Sequence, residues 1–313
     1  GTSMSSPNVT GSLLLLQEHY YDLNSAWMKS ATLKALAIQT ADECGPDDGP
    51  DYMYGWGLLN AKTAANVITN RNVSALIKEE NYSGTTYSVT VTANGTDPLR
   101  ATLVWTDPAG TPPSYTLDNP AVMLINDLDM TITGAKSTYS PYKLDKSNPS
   151  NAATTGDNDV DNVEQIHIAS PTASVYTISI THEGSISGGS QNFSLIVTGI
   201  DVSEPAVTTY EPADITSTSV TFSGETTSEN GFSITERGFV YGTSLNPDIN
   251  DTKVVVGSGL GSFNTSVSSL SPNTTYHVRA YATNSEGTGY GVDKDFTTTS
   301  TTTWDGSSWD GGA

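Results

Sequence analysis

The sequence predicts a multidomain chain in which a short helical segment is followed by two all-β sandwiches. Three observations carry that prediction. Apolar residues recur at helical spacing only before about residue 70. From Val73 they alternate with polar residues in short runs bounded by turn residues. These runs fall into two groups separated by the linker-like Asp201-Val-Ser-Glu-Pro205, and 313 residues is long enough for two or three domains.

Taken in order, Val9, Leu13 and Leu16 share one helical face, and Leu14 with Leu15 widens it, so a first helix is expected to be buried nearly all round. Asp22 to Ser25 reads as a turn. A second helix is expected from about Ser30 to Gln39, then a loop rich in glycine and aspartate from Asp42 to Asp51. Asn60 is placed to cap a third helix, Ala61 to Val67. Some 70 residues containing an all-round apolar helix do not make a self-sufficient core, so further chain N-terminal to Gly1 is expected to cover them.

The first β group is read at Tyr87–Val91, Ala101–Trp105, Met130–Thr133, Val175–Ile180 and Phe193–Val197. The second is read at Ser219–Phe222, Glu236–Tyr241, Thr275–Tyr281 and Lys294–Thr297. The domains expected are therefore 1–73, 74–200 and 201–298, with 299–313 a linker or the start of a further repeat.

Charge is strongly acidic, with 13 basic and 34 acidic residues, and most of the excess lies beyond residue 73. That sign excludes nucleic acid and anionic membrane as expected partners. No apolar run approaches the ~18 residues of a membrane-spanning helix. No basic-then-apolar leader opens the chain, so an export signal is expected upstream of Gly1. A single cysteine, Cys44, excludes an intrachain disulfide. A thiol-poor, acidic, Ser/Thr-rich chain fits a secreted bacterial protein.

Chemistry concentrates in Gly1-Thr-Ser-Met-Ser-Ser-Pro-Asn-Val-Thr-Gly11. A nucleophilic serine needs an exposed Oγ, and a glycine two residues earlier lets substrate approach the backbone. A serine at a helix start also aims its N–H and the helix dipole at a developing oxyanion. Pro7 is expected in the first turn, where its missing donor costs little.

At Gly1, Thr2, Ser3, Met4, Pro7, Val9 and Gly11 the segment resembles the nucleophile signature of subtilisin-like (S8) serine proteases, though Asn8 stands where the family more often has histidine. Tyr54-Gly-Trp-Gly-Leu-Leu-Asn-Ala61 resembles the glycine-bounded turn that closes such catalytic domains. The resemblance implies that residues 1–73 end an α/β catalytic domain. It further implies that Ser3 is the nucleophile and an oxyanion donor through its backbone N–H, and that substrates are proteins or peptides. The family's chain order places aspartate and then histidine before the serine. All four histidines (His19, His167, His182 and His277) follow Ser3, so the catalytic aspartate, histidine and oxyanion asparagine are expected upstream. These 313 residues alone are expected to be inactive. A non-catalytic adhesin or binding protein carrying a protease remnant is the competing reading.

Leu103-Val-Trp-Thr-Asp107, Leu124–Met130, Asp161–Glu164 and Gln191–Leu195 resemble the jelly-roll sandwich appended to bacterial subtilisin-like proteases, related to the P-domain of proprotein convertases. Within it Asp157, Asp159 and Asp161 alternate, with Glu164 close behind. That spacing supplies several hard oxygen ligands from one loop, and Asp127 and Asp129 add two more. Structural calcium is one expectation there and a solvated acidic loop is the other. Leu270 to Asn284 resembles the corner of a fibronectin type III domain, with Tyr276 as the corner tyrosine and Phe222 replacing the usual core tryptophan. The resemblance implies a spacer, or contact with a cell surface or polymer.

Overall fold

The computed structural model describes residues 1–115, 121–201 and 204–301. Of the expected tail, all but residues 299–301 lies outside them. The chain forms two compact units, Gly1–Val202 and Ser203–Ala313.

The first unit opens with three helices, α1 (Thr2–Asn24), α2 (Ser30–Gln39) and α3 (Ala61–Thr69). Asn60 caps α3 as expected, accepting from the Thr63 N–H at 2.9 Å. Eleven strands follow: β1 (Ala75–Tyr82), β2 (Tyr87–Ala93), β3 (Leu99–Trp105), β4 (Asp127–Gly134), β5 (Ser137–Tyr139), β6 (Tyr142–Lys143), β7 (Thr154–Thr155), β8 (Val163–Ile168), β9 (Val175–Glu183), β10 (Gln191–Thr198) and β11 (Ile200–Asp201). They form one sheet in the order β1-β10-β3-β8 and a second in the order β11-β2-β9-β4-β5. Leaving aside the short β11, the first strand pairs with the last and the second with the one before it. That wrapping makes the sandwich a jelly roll.

β3 and β10 are buried along most of their length on both faces. The reason is a third layer. Ile77, Val104, Val163 and Ile196 on the sheet's outer face join Leu16, Tyr20, Ala35, Leu36, Val67 and Ile68 of the helices in one core. The helical segment has no strands of its own before Ala75 and packs instead on those of the sandwich that follows it.

The two ends of α2 show how tightly that layer is fixed. Its N-cap, Lys29, makes no side-chain cap bond. Instead Glu79 of β1 accepts from the Lys29 N–H at 2.8 Å and from the Thr32 hydroxyl. A strand carboxylate thus does what an N3 glutamate does in a capping box. At the other end the Arg100 guanidinium of β3 donates to the Gln39 carbonyl at 3.0 Å. An anion at the helix N-terminus and a cation at its C-terminus both complement the macrodipole. The Gln39 side chain continues the seam, donating to Arg100 O and Thr198 Oγ1 and accepting from Thr102 Oγ1.

α1 departs from expectation. Only Leu16 and Tyr20 are buried, while Leu14 and Leu15 are 67% and 66% exposed. One stripe of the helix packs on the other helices, and nothing among the described residues covers the opposite face.

The second unit holds β12 (Ala206–Thr209), β13 (Ser219–Ser228), β14 (Glu236–Gly242), β15 (Thr252–Gly257), β16 (Gly261–Ser268), β17 (Thr275–Thr283), β18 (Thr288–Tyr290) and β19 (Lys294–Thr297). One sheet runs β12-β13-β16 and the other β15-β14-β17, with both β18 and β19 on the far side of β17. Three strands face five, with β18 and β19 sharing one edge of β17 as two halves of a single edge strand, the arrangement of a fibronectin type III sandwich. Phe222 sits in its core against Phe239, Tyr241 and Phe296. The Tyr276 hydroxyl accepts from the Ser271 N–H at 3.0 Å, closing the corner. The jelly roll has a corner of its own, where the Tyr176 hydroxyl accepts from the Thr172 N–H at 3.1 Å.

Candidate active site

Gly1 is the N-cap of α1, and Ser3 is the helix's second residue. Gly1 O accepts from Met4 N at 2.9 Å and Ser5 N at 3.3 Å, which fixes the first turn. Ser3 is exposed, and its hydroxyl has no hydrogen-bond partner among the described residues. The hydroxyl therefore stands at the positive end of a 23-residue helix, where developing negative charge is favoured. Pro7 lies one turn further in than expected. As the sixth helical residue it is past the four N–H groups that lack partners anyway, and it removes the donor that would otherwise reach the Ser3 carbonyl.

No histidine serves Ser3. His19 Nε2 lies 2.9 Å from Thr69 Oγ1, and His182 Nδ1 lies 3.2 Å from the Tyr82 hydroxyl. His277 Nδ1 is 3.1 Å from Asp293 Oδ2 in the second unit. His167 faces α2 from β8, and its Nε2 is buried without a partner among the described residues.

The closing turn is built around Gly57. Asp42 and Leu58 exchange two backbone bonds of 2.8 Å, and a Cβ on Gly57 would stand 2.2 Å from Asp42 O. The Asp42 carboxylate accepts from the Asn60 amide, so the turn also orients the residue that caps α3.

The acidic residues divide. Asp127 and Asp129 project from one face of β4, and Glu164 enters the inter-sheet space from β8 and accepts from the Met130 N–H. Asp157 and Asp159 approach from the preceding loop, with Asp157 hydrogen-bonded to Asp129. Glu183, directly across from Asp127, is a further member that spacing along the chain could not reveal. Burial, with added repulsion from these neighbours, pushes Asp127 up to about 6 and Glu164 up to about 9. Asp129 is raised to about 7 by burial and then by its bond to Asp157. Asp161 stands apart, its charge offset by Lys34. The all-oxygen donor set and the orphaned, buried Asp127 Oδ1 suit calcium chemistry. No three His, Cys, Asp or Glu side chains among the described residues close into a metal-holding group.

Comparison with known proteins agrees with the local reading. Residues 1–57 match the Subtilase family model, peptidase S8. A 66-residue stretch is 36% identical to serotype-specific antigen 1 of Mannheimia haemolytica. A 66-residue stretch is also 41% identical to the autotransporter lipoprotein NalP of Neisseria meningitidis serogroup B. Each match takes 21% of this chain and 6% of the relative's length. Among solved structures, a fibronectin type III domain of human KIAA0970 is 17% identical, covering 30% of this chain and 74% of that one at a TM-score of 0.24. Titin domains A168–A170 are 12% identical, covering 72% and 99% at 0.23. The sandwich assignments above rest on strand order. The family match and the two relatives fit a subtilisin-like segment at the start of the chain, ahead of the two sandwiches. No helix among the described residues is long and apolar enough to cross a membrane.

Proposed function

We propose that this chain carries the nucleophile and closing helices of an extracellular subtilisin-type serine endopeptidase. The observation that supports it most is Ser3, exposed and unpartnered in the first turn of a long helix, within the segment that matches the Subtilase model. In this reading Ser3 Oγ attacks the scissile carbonyl of a protein or peptide. A histidine and aspartate from sequence preceding Gly1 take and steady the proton, and the Ser3 N–H helps hold the oxyanion. The acyl-enzyme on Ser3 is then hydrolysed. The exposed Leu14–Leu15 face of α1 supports the reading, because it offers preceding chain an apolar surface to pack on. The jelly roll braces the nucleophile's helix through α2 and α3. The fibronectin-like unit serves as a spacer or surface contact. The cluster of Asp127, Asp129, Asp157, Asp159 and Glu164 takes structural calcium, which offsets the repulsion among its carboxylates.

A fluorophosphonate probe tests the assignment in the protein carrying the preceding sequence. Labelling at Ser3 is expected, together with peptide hydrolysis that Ser3→Ala abolishes. Hydrolysis surviving that substitution would remove Ser3 as the nucleophile, and an unlabelled Ser3 in folded protein without hydrolysis would favour the binding-protein reading.

A further inference from the structure

Arg100 and His167 are direct cross-strand partners on β3 and β8, so both side chains leave the sheet on its helix-facing side. With Gln165, two residues away on the same face, they floor a cavity of about 140 Å³ beneath the 42–51 loop. Ile38, Trp56 and Tyr142 wall it. Glu43, held by the Cys44 and Gly49 N–H groups, and Asp48 line it from the loop and are exposed, whereas Gln165 is buried, so the carboxylates form its rim. The volume is that of about five waters, which leaves room for a small α-amino acid.

The polar groups are arranged with a direction. Arg100 places a cation at the floor and gives one N–H to the Gln39 carbonyl. His167 presents a buried Nε2 with no partner among the described residues, and burial followed by the neighbouring Arg100 pushes its pKa down. The ring is therefore neutral and able to donate from Nε2 in one tautomer. A simple anion entering this space meets two rim carboxylates, and a simple amine meets Arg100. A ligand with an anionic end inward and a cationic end outward satisfies both.

We infer that this cavity binds a free α-amino acid of the size of glycine or alanine, its carboxylate on Arg100 and His167 and its ammonium between Glu43 and Asp48. Aromatic walls at Trp56 and Tyr142 flank the small side chain. The site is separate from Ser3 and does not depend on proteolysis.

The test is titration of L-alanine into the full 313-residue chain, followed by amide and indole NMR shifts at Gly49 and Trp56. Saturable shifts are expected, with N-acetylalanine and alaninamide, each lacking one charge, at least about tenfold weaker. Asp48→Lys reverses a rim charge on an exposed loop and is expected to weaken alanine about tenfold or more. His167→Leu removes the inner donor and is expected to do the same. Should that variant fail to fold, Asp48→Lys decides alone. Absence of saturation, a singly charged analogue binding as well as alanine, or unchanged affinity in Asp48→Lys would each overturn the assignment.

Discussion

Glu79→Ala tests whether the jelly roll holds the helical layer through the end of α2. The substitution deletes two hydrogen bonds to one carboxylate, from the Lys29 N–H and the Thr32 hydroxyl. It also removes the negative charge nearest the helix N-terminus. Thr32 is fully buried but keeps Ser194 as a partner at 2.9 Å, so only the helix N–H is orphaned. Loss of a cap costs about 0.5–2 kcal/mol, and loss of the dipole interaction about 0.3–1. The Lys29–Glu79 ion pair, at 3.9 Å and half exposed on the lysine side, adds little. The sum is roughly 1–3 kcal/mol, or a fall of about 2–12 °C in the Tm of a unit of this size. The assay is thermal denaturation of the full chain followed by tryptophan fluorescence, since Trp27, Trp56 and Trp105 lie in this unit. Glu80→Ala is the control: the next residue points to the other face and has no side-chain partner among the described residues. Glu79→Gln keeps an acceptor without the charge and is expected to fall between them. The cap is partly buried, so the loss should survive high salt. Equal melting of the Glu79→Ala and Glu80→Ala proteins would refute the reasoning.

Three further outcomes follow. Gly57→Ala should cost at least about 3 kcal/mol, because its backbone is left-handed (φ +101°) and a Cβ meets Asp42 O, while Gly55→Ala (φ +63°, open space) should cost about 1, as urea titration would show. His167 has a folded pKa below its ordinary 6.5, so it binds fewer protons folded than unfolded, and its contribution to stability falls as pH drops below 6.5. Melting of the wild type and His167→Leu across pH 8 to 5 should therefore show the balance moving toward the variant on acidification; parallel curves would contradict it. Calcium at a hundredfold excess over its dissociation constant should stabilise the first unit by about 2.7 kcal/mol, chelator should reverse this, and Asp129→Asn should remove the response.

Much of the architecture was legible because its signals are local. Alternation in Ala101–Trp105 and Phe193–Val197 marks strands whatever covers them, and Asn60 announces a helix start through its own side chain. β1 was hidden because Lys78, Glu79 and Glu80 break its apolar pattern, yet Glu79 is charged for a reason that lies 50 residues away along the chain. β16 was hidden likewise, since polar residues dominate its exposed face. At the candidate site the same limit applies. Ser3 was recognisable from its neighbours in sequence, whereas Glu183 joins the acidic cluster only through cross-strand register with Asp127.

The helix caps sharpen what the jelly roll contributes to a serine in α1. A helix that packs only through apolar area takes its register from side-chain fit alone. α2 is held at both ends by charged strand residues of opposite sign, Glu79 and Arg100, and each accepts or donates at one longitudinal position. Slippage by one turn would break both sets of bonds together and place each charge against the wrong backbone groups. α1 and α3 share the core that α2 anchors, and Ser3 is placed by α1. The sandwich thus fixes the position of α1, which carries Ser3, as well as its stability. A weakened cap should therefore loosen Ser3 before it unfolds the unit, making fluorophosphonate labelling of Glu79→Ala in the longer protein slower at temperatures where circular dichroism is unchanged. Labelling at the wild-type rate under those conditions would confine Glu79 to stability alone.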